Sequence, residues 1–231
     1  MWHGLPRERF EWHPSIDYSK CTGCGLCFVT CGHDVFHWDR KSGKPVVAKP
    51  GDCVMGCTTC GKLCPAEAIT FPSDAREFIQ GVLREHGATV FKSAREELEE
   101  RLSKYPFLAE RREPSAEPSP AFKAWHGLDR KEIPWYPSLD EGKCIGCGLC
   151  VVTCGQARLV WGFDRERRKA VLLQPYNCMV GCNNCEVNCP RSAISFPDAR
   201  VVRDAASRID PSVLRAEVEE KLRKKPHLAI G

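Results

Sequence analysis

Apolar side chains recur every four residues along two stretches of the chain: Ala94, Leu98 and Leu102 in one, Leu214, Val218 and Leu222 in the other. That interval stacks them on one face of a helix, so helices are expected over about 74–105 and 198–225. Acidic residues sit toward the front of the pattern (Glu96, Glu97) and basic ones at its end (Arg223, Lys224, Lys225, before Pro226). This order complements the helix dipole; a basic docking patch is the competing reading. Elsewhere the apolar runs are short. "PSID" (14–17), "VFHW" (35–38), "PVVA" (45–48) and "AITF" (68–71) read as brief strands, with "DRKSGK" as the turn of a hairpin. "PSLD", "LVW", "AVLL" and "AISF" follow in the same order later, which predicts an α+β chain with each strand set followed by a helical extension.

That second appearance is a duplication. A shift of 123 positions carries "WHGL" (2–5) onto "WHGL" (125–128) and Cys21, Cys24, Cys27 and Cys31 onto Cys144, Cys147, Cys150 and Cys154. After Trp161 the extra residues Gly162 and Phe163 move the shift to 125, which maps Cys53, Cys57, Cys60 and Cys64 onto Cys178, Cys182, Cys185 and Cys189. "REELEERLSKYPFLA" (95–109) then matches "RAEVEEKLRKKPHLA" (215–229) at a shift of 120. The repeat divides the chain into units 1–112 and 124–231, with 113–123, rich in Pro, Glu, Ser and Ala, as the linker. All six tryptophans belong to matched positions, and the leaders that carry four of them are expected to lie over the fold.

Charge adds little. The formal net charge is +4, which offers no reason to invoke nucleic acid. The opening residues lack the apolar run of a secretory signal, and no uncharged apolar stretch is long enough to span a bilayer, so a cytoplasmic location is expected. The sixteen cysteines are then metal ligands or redox groups before they are disulfides. Of the seven histidines only His3 and His126 are repeated; far from the cysteine motifs in sequence, they read as structural. No phosphate loop, nucleophile elbow or HExxH is present, so neither an enzymatic activity nor a small-molecule substrate is expected.

"CTGCGLCFVTC" (21–31) and "CIGCGLCVVTC" (144–154) have the spacing C-x2-C-x2-C-x3-C, and the glycines let the backbone wrap closely around a cubane. With "CVMGCTTCGKLCP" (53–65) and "CMVGCNNCEVNCP" (178–190), the sequence resembles the bacterial-type ferredoxins with two [4Fe-4S] clusters, here in tandem over about 13–72 and 136–197. The second motif departs from that family by three residues, not two, between its first cysteines, and Gly follows Cys31 and Cys154 where the family usually has Pro. The resemblance implies a duplicated two-cluster ferredoxin fold and four [4Fe-4S] clusters. Their ligand sets would be Cys21, Cys24, Cys27 and Cys64; Cys53, Cys57, Cys60 and Cys31; Cys144, Cys147, Cys150 and Cys189; and Cys178, Cys182, Cys185 and Cys154. A spare buried thiol at Cys53 and Cys178, leaving three-iron sites, is the alternative that the odd spacing opens.

The function expected on this resemblance is electron transfer by a low-potential carrier, of the kind used in anaerobic metabolism, that meets redox partner proteins. A subunit wiring electrons into a larger redox enzyme is the first alternative, since the leaders and trailing helices exceed a minimal ferredoxin. A zinc-stabilised binding module is the second, although zinc favours two pairs closing one tetrahedral site. Just after the fourth cysteine the repeat replaces Asp34 with Ala157 and Val35 with Arg158, so the cluster at Cys154 is expected to have the higher potential of its pair.

Overall fold

The computed structural model describes residues 1–110 and 113–231. The first repeat runs β1 (Ser15–Ile16), α1 (Leu26–Thr30), β2 (Phe36–Asp39), β3 (Lys44–Val47), α2 (Thr59–Leu63), β4 (Ile69–Thr70) and α3 (Ala75–Lys104). A small hairpin, β5 (Ala124–Trp125) and β6 (Leu128–Asp129), opens the second repeat. It continues as β7 (Ser138–Leu139), α4 (Leu149–Thr153), β8 (Trp161–Asp164), β9 (Lys169–Leu172), α5 (Asn184–Val187), β10 (Ile194–Ser195), α6 (Arg200–Ser207), α7 (Pro211–Lys224) and β11 (Ala229–Ile230). Among the described residues no helix is long and apolar enough to cross a membrane.

In each repeat the strand before the first motif pairs antiparallel with the strand after the second: Ile16 lies opposite Ile69, and Leu139 opposite Ile194. The pairing brings the two cysteine motifs side by side. Between them stand the hairpins β2–β3 and β8–β9, where Phe36 and Trp38 turn inward and His37 stays half-buried. The hairpin turn reaches the first motif closely: a Cβ on Gly23, whose φ is +71°, would lie 2.5 Å from the Gly43 carbonyl oxygen. Only glycine fits there.

The trailing helices cross between repeats. Asp74 caps α3 by accepting from the amides of Arg76 and Glu77, both at 2.9 Å. The 30 residues of α3 then run for about 45 Å along the second repeat. Near its start Arg76 donates to the carbonyl of Glu186 (3.0 Å) and Gln80 to that of Val187 (3.2 Å); near its end Arg101 donates to Cys154 O (2.8 Å) and Val152 O (3.1 Å). The second repeat returns the contact, with α6 against α2, α7 against α1, and β11 parallel to β2 with Ala229 opposite Trp38. Where one continuous helix over 198–225 is expected, two form, because Asp210 caps a new start by accepting from the Ser212 amide (2.7 Å) and Pro211 occupies the first turn.

The leaders cross as well. His3 bonds Glu97 on α3 (3.2 Å) and Thr153 of the second repeat (3.3 Å), while His126 bonds Glu217 on α7 (2.5 Å) and Thr30 of the first (3.2 Å). The buried apolar side chains therefore form one cluster that includes Phe28, Met55 and Leu63 from the first repeat and Leu149, Val180 and Leu173 from the second. Residues of the 113–123 segment lie on the second repeat, Ser115 donating to Leu173 O (2.8 Å) and Ser119 to Asn177 Oδ1 (2.8 Å).

Candidate metal centres

Residues with left-handed backbone shape the first motif of each repeat. Gly25 at φ +83° and Gly148 at φ +78° precede α1 and α4, so the chain turns sharply between the second and third cysteines. A neighbouring arm fills the space that a side chain would need: a Cβ on Gly25 would lie 2.6 Å from Val218, and one on Gly148 would lie 2.8 Å from Leu98. At the end of the second motif the backbone returns to the sulfur, with the amides of Ala68 and Ala193 donating to Cys64 Sγ and Cys189 Sγ, each at 3.3 Å.

The sixteen thiols line three cavities. Cys21, Cys24, Cys27 and Cys64 line one cavity with Ile16, Leu26 and Ile69. Cys144, Cys147, Cys150 and Cys189 line its counterpart with Leu139, Leu149 and Ile194. The remaining eight cysteines, four from each repeat, open onto a single cavity of about 390 Å³ between the repeats. Within it Cys53 is under the influence of Cys57 and Cys31, and Cys185 under that of Cys178, Cys182 and Cys154. Cys182, across the boundary, adds to burial in raising the Cys57 thiol. Cys27 lines both its own cavity and the shared one, and Cys150 acts electrostatically on Cys185, so the shared cavity lies between the two outer ones.

Burial pushes the Cys53 thiol up to about 12 and the Cys154 thiol up to about 11, and it raises Cys60, Cys150, Cys178 and Cys185 well above the ordinary value. Such thiols hold their protons until a strong cationic centre displaces them, as iron does. Among the described residues no three Cys, His, Asp or Glu side chains converge closely enough to hold a single metal ion. The thiols line volumes instead, four sulfurs around each outer one and eight around the shared inner one, a donor set that suits cubanes.

Cations grip the backbone around the inner sets. Arg7 donates to Cys53 O (2.9 Å), and its repeat partner Arg130, 2 % exposed, donates to Cys178 O (3.1 Å). Lys221 donates to Phe28 O and Cys31 O (both 2.6 Å), matching what Arg101 does at Cys154. Trp12 and Trp135, fully buried, donate their indole N–H to Cys57 O (3.2 Å) and Cys182 O (3.0 Å). These residues are invisible to a search for ligands. Their signal is the repeat itself, since Arg7/Arg130, Arg101/Lys221 and Thr30/Thr153 all occupy matched positions.

A family model described as a 4Fe-4S dicluster domain matches residues 143–193, and one described as a 4Fe-4S binding domain matches 13–36. A ferredoxin of Methanothermococcus thermolithotrophicus is 43% identical over 58 residues, which cover 24% of this chain and 92% of that protein. This chain belongs to the bacterial-type [4Fe-4S] ferredoxin family. An uncharacterized ferredoxin of Methanocaldococcus jannaschii is 38% identical over 79 residues, 34% of this ferredoxin and about half (51%) of the relative. The PreA subunit of NAD-dependent dihydropyrimidine dehydrogenase from Escherichia coli K12 is 38% identical over 60 residues, 25% of this ferredoxin and 14% of that subunit. No solved structure matches. Four [4Fe-4S] clusters are the cofactors of this tandem ferredoxin, and iron–sulfur electron transfer is its function.

Proposed function

We propose that the chain is a duplicated two-cluster ferredoxin that carries electrons at low potential between redox partner proteins and performs no substrate chemistry of its own. Units 1–112 and 124–231, joined by 113–123, each supply one outer and one inner set. The outer sets are Cys21, Cys24, Cys27 and Cys64 in the first unit and Cys144, Cys147, Cys150 and Cys189 in the second. The inner sets are Cys31, Cys53, Cys57 and Cys60 in the first and Cys154, Cys178, Cys182 and Cys185 in the second. Each [4Fe-4S] cluster supplies a one-electron couple whose potential depends on burial, charge and hydrogen bonds to sulfur. The chain contributes spacing: its two inner sets share one cavity, with Cys57 and Cys182 both on its wall. That juxtaposition is the observation that carries the reading, because it joins two otherwise separate pairs into one succession of four. Cytoplasmic operation follows the resemblance to small ferredoxins.

The match within an enzyme subunit favours a second reading, in which the same four sites wire electrons into a larger redox complex. Anaerobic preparation tests the shared premise. About sixteen iron atoms per chain and a broad visible absorption that bleaches with a strong reductant are expected. Far fewer iron atoms, or zinc in their place, would refute it. Co-purification of a tightly held enzyme would favour the complex over the free carrier.

A further inference from the structure

Along the helices that meet the inner boundary the two repeats diverge, at Thr58/Asn183, Thr59/Asn184, Gly61/Glu186, Lys62/Val187 and Leu63/Asn188. Lys62, on α2 between Cys60 and Cys64, corresponds to Val187 on α5. Val187 is an apolar contact, its Cγ1 lying 2.9 Å from where a Cβ on Gly56 would be. Lys62 instead reaches across: its ammonium donates to Thr58 Oγ1 in its own repeat and to Asn183 Oδ1 (2.8 Å) in the other. Thr58 follows Cys57 and Asn183 follows Cys182, so the ammonium lies between the inner motifs of both repeats. Asn183 is held for this contact, since its amide donates to Glu186 Oε2 (2.8 Å). Other basic residues near the inner sets bond to backbone carbonyls of one set each, as Arg7 and Arg130 do.

We propose that Lys62 is the positioning charge shared by the two inner clusters, raising the potential of both so that electrons entering from either outer cluster collect at the inner pair. The inference rests on the four-cluster reading above. Reduction adds negative charge at each inner site, and a cation between them favours it at both. A residue that merely held the repeats together through Asn183 would need only a hydrogen-bond donor.

Two variants of the full, iron-loaded chain separate the roles. Lys62→Gln keeps a donor toward Asn183 and removes the charge, whereas Lys62→Arg keeps both. In a redox titration followed by electron paramagnetic resonance, Lys62→Gln should move two of the four one-electron steps to lower potential, by roughly threefold to thirtyfold in the reduced-to-oxidised ratio at fixed potential. The other two steps, and the iron content, should stay as in the unmodified chain, and Lys62→Arg should restore the shifted pair. A Lys62→Gln chain with full iron in which no step moves, one step moves, or all four move overturns the proposal. Loss of iron in Lys62→Gln but not in Lys62→Arg leaves the arginine chain to be titrated against the unmodified one; a displaced inner pair there overturns it too. An unmodified chain with fewer than four one-electron steps refutes the four-cluster reading instead.

Discussion

The outer and inner cysteine sets are made from the same two motifs, yet their surroundings differ in origin. Each outer cavity is lined by residues of its own repeat, from Ile16 to Ile69 in one and Leu139 to Ile194 in the other. The inner cavity draws on both, with Cys57 and Thr30 facing Cys182 and Thr153. Each outer cavity thus has walls from one repeat with its glycine covered by the arm of the other, and the shared inner cavity is what duplication adds. The arms enforce the difference: Lys221 and Arg101 reach the carbonyls beside the fourth cysteine of the opposite repeat.

The largest test of that comparison is to charge an arm and see which repeat suffers. Val218 packs on Gly25 of the first repeat, and Leu98 on Gly148 of the second. Val218→Asp should destabilise the first repeat, and Leu98→Asp the second, by about 3–5 kcal/mol for an uncompensated buried charge. Thiol alkylation mapped by mass spectrometry would report it: Cys21–Cys31 should become reactive in the first variant and Cys144–Cys154 in the second. Damage confined to the repeat that carries the substitution would break the crossed-arm description. Next in size is Cys53→Ala. With Arg7 gripping its carbonyl and Cys57 and Cys31 beside it, Cys53 is expected to ligate, so the variant should lose one to four iron atoms from one inner site. Unchanged iron content and spectrum would make it a spare thiol.

A smaller effect is expected from cutting the chain at exposed residues 113–114. The crossed arms and common apolar cluster should keep the pieces together, so size-exclusion chromatography should show one species of unchanged size. Two separate, cluster-bearing halves would mean that the arms contribute little. The smallest effect separates the inner sites from each other. Arg158 acts on Cys154 and Cys178, whereas Asp34 is paired with Lys225 at 2.7 Å, cancelling that cation in the first repeat. Burial opposes ionisation of Asp34, but Lys225 outweighs it and holds the carboxyl below the usual range. Since a cation favours reduction, the Cys154 site should titrate higher, by on the order of 20 to 70 mV. Arg158→Ala should close most of that gap; an unchanged gap would assign it elsewhere.

The cysteine motifs and the short strands were legible because spacing and alternation are local properties. "PSID" and "AITF" pair as β1 and β4, and the hairpin forms across "DRKSGK". The crossing was not legible, because a repeat states which residues are equivalent without stating which copy each one touches. Leu98 would show the same four-residue interval whether it lay on Gly25 or on Gly148. His3 illustrates the cost of judging by sequence distance. It is far from every cysteine along the chain, yet it bonds Thr153, next to Cys154. Pro211, three residues before Leu214, was the visible sign that the second arm would break, since proline starts helices more readily than it continues them.

The passage of α7 over α1 also has a consequence in time. A ribosome makes the loop of Cys21, Cys24 and Cys27 early, but Val218, which closes over Gly25, and Lys221, which holds the Cys31 carbonyl, are added some two hundred residues later. The second repeat has no such wait, because α3 precedes the motif it covers. Of the two repeats, the one whose cysteines are made earlier is therefore enclosed later, and its first motif stays open to an iron donor for longer.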